Sequence, residues 1–160
     1  MKKLLATLVI CLATVVLMAA ASAKPSVFQM RLVVDNPSAD SEQLILRKTN
    51  QETGQVATET LNVGKKVLLD QTALKSVVAS KSRQDYWQVD FSLTPDGTER
   101  FAAITGQNIG RRLAIVIDGQ LITAPVIQSP ITGGKGQITG NFTEQEAKDL
   151  AAKINKAIGG

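Results

Sequence analysis

Three absences narrow the field before any motif is read. The 160 residues contain no histidine, one cysteine and few aromatics: one Trp, one Tyr and four Phe. Without imidazole, no Ser-His-Asp or Cys-His nucleophile can be assembled. No Ser-x-x-Lys occurs either, which removes the usual histidine-free acylating motif. The lone Cys11 lies in the first 23 residues. The remainder therefore has no thiol or imidazole for an ordinary zinc site and no disulfide framework. Lys and Arg number 18 against 14 Asp and Glu, a formal +4. Setting aside Lys2 and Lys3 leaves 16 basic and 14 acidic side chains, a net +2. So small a charge with so few aromatics is a poor nucleic-acid signature.

The N-terminus has a leader pattern. Met1-Lys2-Lys3 is a short positive region, Leu4 to Met18 is uncharged and apolar, and Ala21-Ser22-Ala23 puts small residues before Lys24-Pro25. This predicts a signal peptide over 1–23 with cleavage after Ala23. The rival is an uncleaved anchor, since Leu4–Ala23 is 20 residues long, just enough to span a bilayer. Bulky Val9 and Ile10 before Cys11 argue against a lipoprotein, so Cys11 reads as an ordinary apolar-region residue. No later run approaches that length, so no membrane span is expected after leader removal. The expected location is extracytoplasmic, with the periplasm first.

The 137 residues from Lys24 onward suit one domain with a real core. Phe28, Met30, Leu32 and Val34 alternate with Gln29, Arg31 and Val33, a half-buried strand. Asp35 to Asp40 is turn-rich. Leu44-Ile45-Leu46 is a short strand, and Lys48 to Glu59 reads as a hairpin tip or mobile loop. Leu61-Asn62-Val63 and Lys66 to Leu69 are further strand candidates. Asp70 can cap a helix through Ala79, with Leu74, Val77 and Val78 at helical spacing. Ser80 to Asp85 is polar and reads as a linker, dividing an N-terminal α+β portion (24–81) from a second portion (82–160).

The second portion is better patterned. Tyr86 to Leu93 alternates with Val89, Phe91 and Leu93 inward and Gln88, Asp90 and Ser92 outward. Thr94-Pro95 opens a helix with Phe101 and Ile104 on its inner face and Gly106 at its end. Leu113 to Ile117 is continuously apolar, hence central in a sheet. Asp118-Gly119 joins it to Leu121–Ile127 as a two-residue hairpin. Pro125 cannot donate to a ladder, which places that stretch at an edge or bulge. Gln137-Ile138-Thr139 is a short strand. Thr143 and Glu146 form a capping box, followed by a stripe of Ala147, Leu150, Ala151, Ile154 and Ile158. The order strand-helix-strand-strand-strand-helix is α+β, an antiparallel sheet with helices packed on one face.

Several motifs agree in order and spacing with a known family. They are Trp87 to Gly97, Ile109 to Gly119, Ile122 to Gln128, Pro130 to Gly134, and Gly136 to Thr143 leading into Glu146 to Ala151. This half of the chain resembles the head subdomain of the first periplasmic domain of SecD, the membrane subunit that assists the Sec preprotein translocase. Residues Val27 to Val78 resemble it loosely. The resemblance implies an α+β fold with an antiparallel sheet, and capture and release of a translocating polypeptide outside the membrane. In SecD that motion is coupled to proton flow through membrane spans. None of those spans lies within these residues, so what is expected to carry over is the passive part, a head that holds extended chain.

Candidate contact residues follow, each with an ordinary reading beside it. Gly133, Gly134 and Lys135 form a glycine-rich loop that fails the Walker pattern. It is a flexible turn by default, with backbone N–H groups and Lys135 able to meet a peptide carboxyl or carbonyl. Arg111 and Arg112 are a solvated strand end by default, or a basic patch near Lys135 that attracts acidic partners. Ile122, Thr123, Pro125 and Val126 lie on the strand whose prolines suggest an edge. An extended client can add to such an edge, while the same prolines can equally protect it from pairing. Trp87 and Tyr86 can present an aromatic contact, or begin a core strand.

The expectation is a non-enzymatic extracytoplasmic polypeptide-binding module with no cofactor and no metal. Its partners would be a translocating chain or envelope protein, Sec components included, and no nucleic acid. The alternative is a structural interaction module with one dedicated cell-envelope partner and no role in export.

Overall fold

The computed structural model describes residues 26–50 and 53–159; the leader expected over 1–23 lies outside them. Nine strands and two helices follow one another as β1 (Phe28–Leu32), β2 (Ser41–Thr49), β3 (Val56–Gly64), β4 (Leu69–Asp70), β5 (Leu74–Lys81), β6 (Trp87–Leu93), α1 (Pro95–Gln107), β7 (Leu113–Ile117), β8 (Gln120–Thr123), β9 (Lys135–Phe142) and α2 (Glu144–Ile158). The fold is α+β, and every strand pairing is antiparallel. The pairing is distributed over three sheets: β4-β1-β7-β8, β2-β3 and β5-β6-β9.

Strand β7 explains why its sequence shows no alternation. Leu113, Ile115 and Ile117 enter the main core with Phe28, Met30, Phe91 and Phe101. Ala114 and Val116 face the opposite way, into a second cluster with Leu46, Leu61, Val63, Leu121 and Ala124. Both faces are covered, so all five residues must be apolar. The Asp118-Gly119 turn has positive φ at both positions, 48° and 75°, which matches the twist of the flanking strands. In the main core Phe91 lies between Phe28 and Phe101, with both ring centroids 6.3 Å away.

Both helices start as their caps dictate. Thr94 accepts the Gly97 N–H at 3.0 Å. At α2 Thr143 Oγ1 accepts the Glu146 N–H at 3.2 Å while Glu146 Oε2 accepts the Thr143 N–H at 2.8 Å. The stripe Ala147, Leu150, Ala151, Ile154 and Ile158 packs into the main core.

Three stretches differ from the sequence reading. Asp70 caps only a 3-10 turn, Gln71–Ala73, and Leu74–Lys81 is a strand, not a helix. Its β-branched Val77 and Val78 satisfy a helical spacing and a strand alternation equally over so short a run. Pairing along β6 and two side-chain bonds from Asn155 decide for strand. Lys48 to Glu59 is less loop than expected, since β2 runs to Thr49 and β3 starts at Val56. A two-stranded ribbon exposed along most of its length needs no apolar alternation. The polar segment read as a linker is the turn of the β5–β6 hairpin: Lys81 opposes Trp87, and the Ser82 N–H donates to the Tyr86 carbonyl at 2.8 Å.

Candidate functional site

The β2–β3 ribbon is fastened to the rest of the molecule at three places. The Val34 N–H donates to the Asn62 carbonyl at 2.9 Å. Arg31, on β1, pairs with Glu42 near the start of β2. Arg112, just before β7, donates from Nη1 and Nη2 to the two Glu59 oxygens at 2.6 and 3.3 Å, and from Nε to the Ala124 carbonyl at 3.0 Å. The Arg112 guanidinium hydrogen-bonded to Glu59 holds that carboxyl below its ordinary 4.5 against the opposing pull of partial burial.

So fastened, the ribbon stands over β8 and encloses a groove. A volume of about 970 Å³ is lined by Leu46, Arg47 and Lys48 of β2, Ile122 and Thr123 of β8, the β5–β6 hairpin (80–84 and 86–88, with Asp90), and Gln137, Thr139, Gly140 and Asn141 of β9. A second volume of about 440 Å³ adjoins it, sharing Arg47, Ile122, Gly140 and Asn141. Strands β8 and β9 are each the outer strand of their sheet. Among the described residues their outer main-chain edges therefore have no neighbouring strand, and both strands border the same trough. Its floor carries a closed polar network: Ser80 Oγ donates to Asp90 Oδ2 at 2.5 Å, and Gln88 Nε2 to Asp90 Oδ1 at 2.8 Å. Gln88, expected to face outward, is only 6 % exposed. Trp87 is held half-buried with Lys81 and Lys148 Nζ each 5.7 Å from its ring centroid, while Tyr86 beside it is exposed.

The sequence candidates are separated by this arrangement. Ile122 and Thr123 line the trough. Pro125 and Val126 are exposed beyond it, where the chain turns back onto the start of β7. The Pro125 carbonyl accepts from the Leu113 N–H at 2.9 Å and Val126 bridges Arg112. Arg111 is exposed and donates to Asn108 at 2.9 Å. Arg112 is engaged by Glu59, so its charge is already answered within the fold. Arg111 and Arg112 immediately precede β7 of the four-stranded sheet, whereas Lys135 opens β9 in the three-stranded one. Gly134 is a packing residue: its φ is +65°, its carbonyl accepts the Leu93 N–H, and a Cβ would lie 2.5 Å from Thr98 Oγ1. Gly133 faces open space.

Missing from the sequence candidates are Arg47, Lys48, Lys81 and Arg83, which the fold gathers around one trough. No local signal marks them: Lys48 falls in a segment read as a hairpin tip or loop, Lys81 and Arg83 in one read as a linker, and Arg47 between a short strand and that loop. Chemically the arrangement offers main-chain edges, cations and an aromatic pair, which are the means of binding. Among the described residues no three His, Cys, Asp or Glu side chains converge as metal ligands, and no helix is long and apolar enough to cross a membrane.

Comparison with known proteins agrees with this fold. A family model described as SecDF, P1 head subdomain, matches residues 43–157. That match begins inside β2, well ahead of residue 82 where the sequence reading opened its head-like portion. The protein translocase subunit SecD of Acetobacter pasteurianus is 55 % identical over 68 residues, 42 % of this chain and 13 % of that protein. The SecD of Aquifex aeolicus is 57 % identical over 63 residues, 39 % of this chain and 12 % of that protein. The chain thus spans about an eighth of the length of these relatives. A solved structure of SecDF, described as a membrane component that enhances protein export, superposes with a TM-score of 0.63 and 30 % identity over 81 % of this chain and 61 % of that one.

Proposed function

The chain belongs to the SecDF P1 head subdomain family, and we propose that it is a non-enzymatic, extracytoplasmic polypeptide-binding module that serves protein export. One observation carries the reading: two outer strands from different sheets, β8 and β9, border a single trough. An extended client there meets main-chain donors and acceptors on two sides. Such pairing is indifferent to client sequence, as an export helper requires. Ile122 and Thr123 are the contact residues on the β8 side. The relatives' printed roles, a translocase subunit and a component that enhances export, agree with this use of the trough.

The test is a photocrosslinker placed at Thr123, with one at exposed Asp149 on α2 as the control. A permanently unfolded model protein, reduced and alkylated, is expected to crosslink at Thr123 and not at Asp149, while its native form does neither. Absence of crosslinks to the unfolded chain sinks the reading. A single folded envelope protein crosslinking in its place supports the dedicated-partner alternative.

A further inference from the structure

The walls of the trough differ in charge from what a sequence-indifferent site needs. Four cations line it, Arg47, Lys48, Lys81 and Arg83, against one acid, Asp90. Asp90 keeps its charge but is tied down, since both its oxygens already accept from the neutral donors Ser80 and Gln88, so the four cations outnumber it. Two of the cations have internal partners: Lys48 lies 3.4 Å from Glu59, and Lys81 lies 2.8 Å from Asp85. Arg47 and Arg83 have no ion-pair partner among the described residues, and both are exposed. They stand on different elements, β2 and the β5–β6 turn. Arg47 also borders the adjoining smaller volume, so it sits where the two parts of the trough meet.

We propose that this trough selects polypeptide segments carrying acidic side chains, with Arg47 and Arg83 as the specificity-determining residues. The inference rests on the polypeptide-binding reading and adds to it a preference. A guanidinium presents its donors in a planar fork that matches a carboxylate. Two of them on separate elements can engage acidic side chains projecting from an extended chain whose backbone lies along β8 or β9. The client is a polypeptide rather than another polyanion because the same trough is edged by β-strand main chain, which an extended peptide complements and a phosphate backbone or lipid headgroup does not. Tyr86 and Trp87 supply apolar contact beside the cations.

The experiment uses Trp87, the single tryptophan of the chain, as fluorescence reporter. Binding is measured for a capped peptide of repeating Val-Thr-Glu and its Val-Thr-Gln counterpart. At low salt the Glu peptide is expected to bind about fivefold more tightly, the outcome of two exposed ion pairs, and the gap should close as salt is raised. The double variant Arg47→Gln/Arg83→Gln should bind both peptides alike at the weaker level; both residues lie on the surface, so the fold is not at stake. Equal binding of the two peptides by the unaltered protein overturns the acidic preference and leaves polypeptide binding standing. Binding of neither overturns both. Single-stranded DNA or anionic phosphatidylglycerol vesicles competing as well as the Glu peptide overturns the choice of polypeptide.

Discussion

Arg112 grips Glu59 with both terminal nitrogens, at 2.6 and 3.3 Å, across 53 positions of chain. This contact ties the β2–β3 ribbon to the start of β7 and so holds open one wall of the trough. Replacing Arg112 by Ala removes the fork and the bond to the Ala124 carbonyl. Since both side chains are partly solvated (28 % and 39 % exposed), the expected cost is only about 1–2 kcal/mol. Urea unfolding measures it, and a loss near zero would remove the Arg112 tie from the account.

The same pair sets a pH dependence. Glu59 is held below its ordinary 4.5, first by the Arg112 hydrogen bond. A carboxyl lowered on folding contributes stability that is fully present above its unfolded value and is lost as pH falls through its folded value. The stability gap between the unaltered protein and Arg112→Ala should therefore be constant from neutrality down to about pH 5. Below 4.5 it should narrow. A gap that widens on acidification contradicts the assignment.

Gly136 lies opposite Phe91 on the paired strand, and a Cβ there would come 2.3 Å from the ring. Phe91 is only 4 % exposed and wedged between two other aromatics, so it has little room to retreat. Gly136→Ala should cost about 1–3 kcal/mol. Gly133→Ala, in open space, should be close to neutral. Thermal unfolding of the two variants compares them directly; equal midpoints would mean that Phe91 can move aside.

Asn155 of α2 clamps the outer edge of β5. Its Nδ2 donates to the Val77 carbonyl at 2.6 Å and its Oδ1 accepts the Val77 N–H at 3.0 Å. Asn155→Ala loses both bonds, about 2 kcal/mol. Asn155→Asp keeps the acceptor for the Val77 N–H but sets a carboxylate oxygen against the Val77 carbonyl, so it should cost at least as much as the alanine variant. Hydrogen exchange at the Val77 amide should accelerate in the alanine variant and less in the aspartate one. An unchanged rate in both would show that α2 does not guard this edge.

The two lysines flanking Trp87 should tune its emission. Lys81→Met and Lys148→Met are each expected to shift the fluorescence maximum and to cost about 0.5 kcal/mol, the scale of an exposed cation–π contact. If neither substitution moves the spectrum, the two cations do not lie against the ring.

Much was legible locally. Thr94-Pro95, Thr143 with Glu146, and Asp118-Gly119 specify helix starts and a turn through groups within three residues of one another. No distant partner is needed to satisfy them, and the structure places each where the sequence did. The α2 stripe and the buried β7 run were likewise readable, because burial leaves its period in the residue types. Leu74–Lys81 was not, since its pattern permits helix and strand alike and the choice rests on β6 and Asn155. The trough was equally hidden. Arg47 and Arg83 are 36 positions apart on polar segments with no pattern of their own, and only the docking of the ribbon makes them neighbours of β8 and β9. Local hydrogen bonding and hydrophobic period thus belong to the sequence by itself. The convergence of surface cations on two sheet edges belongs to tertiary structure, because electrostatics and edge pairing act through space and leave no imprint on spacing along the chain.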